Sequence, residues 1–290
     1  MKFDLLQALL ETEALRLPPP GEVFWYTSGT VGPYYINTHY LYGGPEGAEE
    51  LLAFIDAEKE EEDFPHRLQQ RIEKHYAQDA VYRRIIDELV EQARESGADF
   101  DFVSGGERRD WFFSLAVAEH LGLPHLLIYK DLRKVLLDGT ALRAVGPDEL
   151  NAQHALHVAD LVTEASSFFR AWIPAITETG ARITYAANVI DRGQGGIEAL
   201  NEQGVRAGAL MRVDAVLFRR LVEIGRIDEA QFEVLASYYR DPQAAMKSFL
   251  EAHPDFLRAA LDGVDPKVTG RARLLIDENP YGLDESLWRE

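Results

Sequence analysis

The chain has 290 residues, 46% of them hydrophobic, with 14 Phe, 12 Tyr and 4 Trp; it can bury a substantial core and is not a disordered polymer. Its formal charge of −19 repels nucleic-acid backbones and anionic lipid, so any phosphate site has to be built locally. The absence of cysteine excludes disulfides, thiolate metal sites and a cysteine nucleophile.

No apolar run approaches the roughly 18 residues that span a bilayer, and Asp4, Glu11 and Glu13 interrupt the first fifteen residues. A cytoplasmic protein with neither nucleic acid nor membrane as partner is expected. Residues 2–16 carry Phe3, Leu5, Leu6, Leu9, Leu10 and Leu15 near helical spacing, and the prolines of LPPPG end that helix. The aromatic stretch EVFWYTSGTVGPYYINTHYLYGG reads as two strands joined by a tight loop at SGTVGP. Residues 47–97 read as helical, with Val81, Ile85, Leu89 and Val90 on one stripe and Gly97 as the C-cap. The run EKEEED at 58–63 reads as a solvated helix end or loop.

After Gly97 the pattern alternates. FDFV, PHLLIYKD, ALHVAD, ARITYAANVID and VRAGALMRV read as strands. WFFSLAVAEHLG, SSFFRAWIPAITETG and GIEALNEQG read as helices, the second kinked at Pro174. Apolar strands alternating with helices predict an α/β fold: a doubly wound, mostly parallel sheet covered on both faces, with ligands outside the strand C-termini. From Asp214 onward three or four short helices follow, with Asp214, Asp228, Asp241 and Asp265 as N-caps.

Three turns at strand ends stand out. In FVSGGERRDW, Gly105 and Gly106 allow positive φ and close approach of a ligand, and Arg108 and Arg109 add positive charge; a tight junction with two solvated arginines is the plainer reading. In HVADLVTEASS, Asp160 ends a strand and Thr163, Ser166 and Ser167 open a helix, where they can face a phosphate or act only as caps. In NVIDRGQGG, Arg192 can pair bidentately with a carboxylate or phosphate, or be a surface arginine among glycines. The histidines show no metal-ligand spacing, and Trp111, Phe112 and Phe113 read as core.

These turns, in order and behind the aromatic segment, resemble the type I phosphoribosyltransferases, particularly the orotate phosphoribosyltransferases. YTSGTVGPYYIN is similar to that group's substrate loop, HVADLVTEASS to its phosphoribosyl pyrophosphate loop, DRGQGG to its base-reading turn, and LGLPHLLIYKD to the approach to its catalytic loop. The likeness runs from about residue 20 to 213 and implies a phosphoribosyltransferase-like domain over 1–213, with a helical insertion at about 53–80 and a C-terminal helical extension over 214–290. It implies that Ser28, Gly29, Tyr34, Tyr35 and Arg192 bind a pyrimidine-like base. Asp160 would hold the ribose hydroxyls, and Thr163, Ser166 and Ser167 the 5′-phosphate. Gly105, Gly106, Arg108 and Lys130 would meet the pyrophosphate, while Arg133 aligns with a catalytic-loop lysine. Magnesium carried by phosphoribosyl pyrophosphate near Asp160, a nucleobase as second substrate, a mobile basic loop and a homodimer are further implications. The chain departs from the pattern at Ala159 (the first of two usual acids), Glu164, Ala165, Thr27 and Val135. Those departures motivate a second expectation, a non-catalytic nucleotide- or phosphoribosyl-binding sensor on the same scaffold.

Overall fold

The computed structural model describes residues 4–288. Phe3, counted in the first apolar stripe, lies outside the described residues. The chain divides into two compact units. One comprises the segment up to Ala14 together with Asn37–Arg212; the other comprises Leu15–Ile36 and the chain from Val213.

In chain order, α1 (Leu5–Glu11) is capped by Asp4, whose carboxylate accepts from the Leu6 and Gln7 amides. The helix stops at Glu11, earlier than predicted, because the chain turns at Thr12 and Glu13 and extends into β1 (Leu15–Arg16). There follow β2 (Phe24–Trp25), β3 (Val31–Gly32) and β4 (Tyr35–Ile36). Strands β2 and β3 pair antiparallel and β1 pairs with β4; β3 falls inside SGTVGP, the stretch read as the connecting loop, and Thr38–Leu41 after β4 forms a 3-10 helix in place of a continued strand.

The helical region consists of α2 (Gly44–Glu58), α3 (Phe64–Gln78) and α4 (Ala80–Glu95). Ile85, Leu89 and Val90 are buried on the apolar stripe of α4, and Gly97 follows in the left-handed region at φ 62°. The acidic run at 58–63 is only partly a solvated turn. Lys59 Nζ meets Glu107 Oε1 at 2.5 Å, and Glu60 Oε2 accepts from Arg133 at 2.9 Å.

Next come β5 (Phe102–Gly106), α5 (Trp111–Leu121), β6 (His125–Ile128), β7 (Lys134–Asp138), β8 (Ala141–Ala144) and β9 (His154–Val162). After α6 (Ile173–Glu178), the chain forms β10 (Arg182–Asp191), α7 (Gly196–Glu202) and β11 (Arg206–Arg212). The sheet order is β11-β10-β9-β5-β6-β7-β8. The first five strands are parallel, and β7 and β8 complete the edge antiparallel. This is the predicted mostly parallel sheet. The segment LLDGTALRAV, which the sequence reading did not assign to strands, forms a hairpin turned at Gly139–Thr140, since a two-residue connection with glycine at φ 56° suits antiparallel strands.

Trp111, Phe112 and Phe113 are fully buried in α5, as expected of core. The helix after β9 starts at Ser166 and widens into a π-turn over Phe168–Trp172 before α6. Pro174 accounts for the change: without an N–H it cannot continue the i→i−4 ladder, and the Ile173 amide reaches back to the Phe168 carbonyl.

The second unit adds α8 (Ala215–Glu223), α9 (Glu229–Arg240), α10 (Pro242–Ala252), α11 (Pro254–Asp262) and α12 (Pro266–Glu278), five helices where three or four were expected. Asp214, Asp228, Asp241 and Asp265 each accept backbone N–H groups at the N-cap. Tyr238 and Phe249 are buried in this unit.

Candidate functional site

In the sheet, the chain passes from β5 outward through β6, then returns to place β9 on the other side of β5. Open α/β sheets bind ligands at such a reversal, outside the strand C-termini. A cleft of about 310 Å³ lies there. Its walls come from the turn after β5 (Glu107, Arg108, Arg109, Asp110) and from the end of β9 and its turn (Asp160, Thr163, Ser166, Ser167).

Local sequence explains this geometry. The apolar β9 carries Asp160 outward where the strand runs out of the core, and the half-buried Thr163 and exposed Ser166 and Ser167 begin the following helix. The first helical amides have no partner within the helix and can serve an anion. Glu164 is exposed and is not among the residues lining the cleft. Ala165 holds φ 57°, a conformation glycine adopts more readily.

Asp110 ties the two turns together. Its Oδ2 accepts from the Gly106 amide and its Oδ1 from the Asp160 amide, each at 3.1 Å. Burial pushes the Asp160 carboxyl up to about 6, with the Arg109 charge acting against it. Burial, then the neighbouring Asp160 charge, holds Asp110 well above the usual carboxylate range. His157 lies beneath, fully buried, with Nδ1 3.0 Å from Ser104 Oγ; burial lowers it to about 3, so it is neutral.

The other predicted residues occupy varied surroundings. Gly105 and Gly106 are strand residues without positive φ, contrary to expectation; an added Cβ would meet Ser114 Oγ at 2.2 Å or the Trp172 ring at 2.2 Å, so glycine here serves close packing. Arg108 lines the cleft and pairs with Asp56. Lys130 is exposed, and its amide donates to Glu107 Oε2 at 2.9 Å. Arg133 lies over the Tyr129 ring at 3.8 Å and pairs with Glu60. Arg192 is stitched to β9 through its amide, 2.9 Å from the Val162 carbonyl.

Ser28, Gly29, Tyr34 and Tyr35 belong to the second unit. Ser28 is exposed, with its hydroxyl 2.8 Å from that of Thr30, and Gly29 turns at φ 77° against Leu274. Tyr34 is buried against Phe218 and Tyr238, while the Tyr35 hydroxyl donates to the Trp25 carbonyl at 2.7 Å. Asp110 and His157 escaped the sequence reading as site residues; the only hint was an aspartate four residues beyond Gly106 at the start of a helix.

No known family pattern matches the chain. Over 214 residues it is 27% identical to an orotate phosphoribosyltransferase of Pyrococcus furiosus, covering 73% of this chain and 93% of that protein. A second orotate phosphoribosyltransferase, from Methanopyrus kandleri, is 29% identical over 134 residues, 46% of this chain and 70% of the relative. Among solved structures, Francisella tularensis orotate phosphoribosyltransferase superposes with a TM-score of 0.53 at 13% identity, over 81% of this chain and 97% of that one. Leishmania donovani UMP synthase gives 0.55 at 16% identity over 81% of this chain, which spans 41% of that longer protein.

Fold and sequence likeness together make this a type I phosphoribosyltransferase-like chain. Within that class its likeness is to the orotate phosphoribosyltransferases.

Proposed function

We propose that the protein transfers a phosphoribosyl group from phosphoribosyl pyrophosphate to a pyrimidine-like base. The observation that carries this reading is the single cleft lined by Asp160, Thr163, Ser166, Ser167 and Arg108 at the ends of β5 and β9. The hydroxyls and first-turn amides hold the 5′-phosphate, and Asp160 accepts from a ribose hydroxyl. Arg108 and Arg109 neutralise charge on the departing pyrophosphate, with Lys130 and Arg133 at its outer side. Catalysis of this kind consists mainly of positioning and charge neutralisation. In the first unit, Arg192 is the base contact.

The donor chemistry fits magnesium that arrives with its substrate. Asp110 and Asp160 offer hard carboxyl oxygens, and no group of three metal-binding side chains occurs among the described residues, so substrate oxygens and water would complete the coordination. When bound, magnesium supplies further charge neutralisation at the pyrophosphate. A cytoplasmic homodimer is part of the proposal, checked by light scattering of the purified protein.

The test is pyrophosphate release from phosphoribosyl pyrophosphate and magnesium across orotate, uracil and other planar bases. Base-dependent release supports transfer. Tight binding of phosphoribosyl pyrophosphate with no release for any base would select the non-catalytic sensor instead.

A further inference from the structure

The end of α2 touches the cleft's neighbourhood at three points. Asp56 pairs with Arg108, Lys59 Nζ meets Glu107 Oε1 at 2.5 Å, and Glu60 Oε2 accepts from Arg133 at 2.9 Å. Positions 56, 59 and 60 share one helical face, because side chains three and four residues apart are neighbours. The two turns that receive them are themselves joined, since Glu107 Oε2 accepts from the Lys130 amide at 2.9 Å. All of these residues belong to the first unit. Those on α2 and just after it fall in the stretch read as a helical insertion.

The three contacts differ in how firmly they hold. The Glu107 side chain is 5% exposed, so its pair with Lys59 is shielded and anchors the end of α2. Asp56 and Glu60 are 51% and 73% exposed, and ion pairs open to water in this way are weak. Arg133 has a further acid in its own turn, with Asp131 Oδ2 3.9 Å from its Nε. A helix C-terminus carries partial negative charge, and Asp56, Glu58 and Glu60 add to it here. The helix end therefore presents Arg108 and Arg133 with what a polyanion would present.

We propose that the end of α2 is an autoinhibitory clamp: Asp56 and Glu60 occupy Arg108 and Arg133 until a pyrophosphate-bearing ligand displaces them. This rests on the reading of the cleft as a phosphoribosyl pyrophosphate site. Arg108 lines that cleft, so its acid partner opposes the ligand by charge and by claiming its N–H groups. A phosphate carries more charge than a carboxylate and also takes a guanidinium bidentately, so exchange favours the ligand. The Lys59–Glu107 pair is the pivot that keeps the helix end beside the cleft after the two acids let go.

The experiment is calorimetric titration of the full chain with inorganic pyrophosphate and with phosphoribosyl pyrophosphate, each with magnesium. The double variant Asp56→Asn, Glu60→Gln is expected to bind both about three- to tenfold more tightly than the wild type, within what two exposed ion pairs contribute. Glu58→Gln is the control. It removes a charge from the same helix end, but Glu58 pairs with Arg67 of α3 and its loss is expected to leave affinity unchanged. Unchanged or weaker binding by the double variant overturns the proposal. So does an equal gain from Glu58→Gln, which would mean that net charge alone matters. Should the double variant fail to fold, the single substitutions decide: each is expected to tighten pyrophosphate binding by about two- to threefold, and no gain from either overturns the clamp. A wild type and a double variant that both bind neither ligand remove the phosphoribosyl reading as well. Base-dependent transfer by the wild type, with no tighter binding in the double variant, removes the clamp alone.

Discussion

Asp160 carries opposite consequences for binding and for stability. Its carboxyl is raised to about 6, chiefly by burial, so the folded protein holds its proton more tightly than the unfolded chain. The sign follows: this stabilising contribution is present below pH 4 and is lost as the pH rises through 6. Asp160→Asn is therefore expected to raise the melting temperature at pH 7.5 by about 2–4 °C, the usual response to 1 kcal/mol at this chain length, and to show no such gain at pH 4. Binding of phosphoribosyl pyrophosphate should be lost in the same variant. A melting temperature at pH 7.5 equal to or below that of the wild type would contradict the burial argument. Gly196 is the second telling residue. A Cβ there would lie 2.4 Å from the Thr163 carbonyl oxygen and 3.0 Å from the Ala165 amide nitrogen, both backbone atoms of the candidate phosphate turn. Gly196→Ala is expected to cost about 1–3 kcal/mol, measured by urea unfolding, and to weaken phosphate binding by displacing that turn.

Among the elements, the clearest local signals were the helix starts. The four aspartates read as N-caps all accept the backbone bonds expected of them, because a short carboxylate has few better partners beside a helix N-terminus. Asp228 makes a full capping box with Gln231, so Asp228→Ala is expected to destabilise the second unit by about 1 kcal/mol in denaturant unfolding. The turn between α2 and α3 was less legible. A run of like charges reads as solvated, yet Lys59 and Glu60 reach the β5 turn and Arg133, contacts that sequence distance conceals. The Glu60–Arg133 pair is exposed on both sides, so Glu60→Gln should change stability by less than about 1 kcal/mol. Its expected effect is a lower KM for phosphoribosyl pyrophosphate, since Arg133 is released from the acid that holds it. An unchanged KM would show that Arg133 does not reach the substrate.

For the whole molecule, pH is the informative variable. His39, His125 and His157 are each lowered to about 3, chiefly by burial, and so are neutral in the folded state. An unfolded histidine titrates near 6.5. The unfolded chain thus binds more protons in acid, and the stability that these residues contribute is complete above about pH 6.5 and falls as the pH drops toward 3. Each contributes a slope of about 1.4 kcal/mol per pH unit once the unfolded histidine is protonated. Asp160, Asp110 and Glu73, all raised chiefly by burial, oppose this trend over the same range, so the histidine part is read as a difference: in urea titrations between pH 7.5 and 5, His157→Gln should lose less stability than the wild type by about one histidine's share.

Local sequence settled the five parallel strands and the helices between them, the caps of the C-terminal helices and the turn that runs from Asp160 to Ser167. Each of these is written in local chemistry: apolar period, a proline or glycine that stops a segment, an acid beside free amides. Tertiary structure decided what depends on chain segments far apart. It grouped residues 15–36 with the helices after Val213, and it paired β7 with β8 at the sheet edge. It also brought Asp110 to Asp160, fifty positions along the chain, through two backbone amides that only the β5–β9 pairing sets side by side. Periodicity records which face of a segment is buried, whereas the identity of the neighbour across that face is settled only when the sheet assembles.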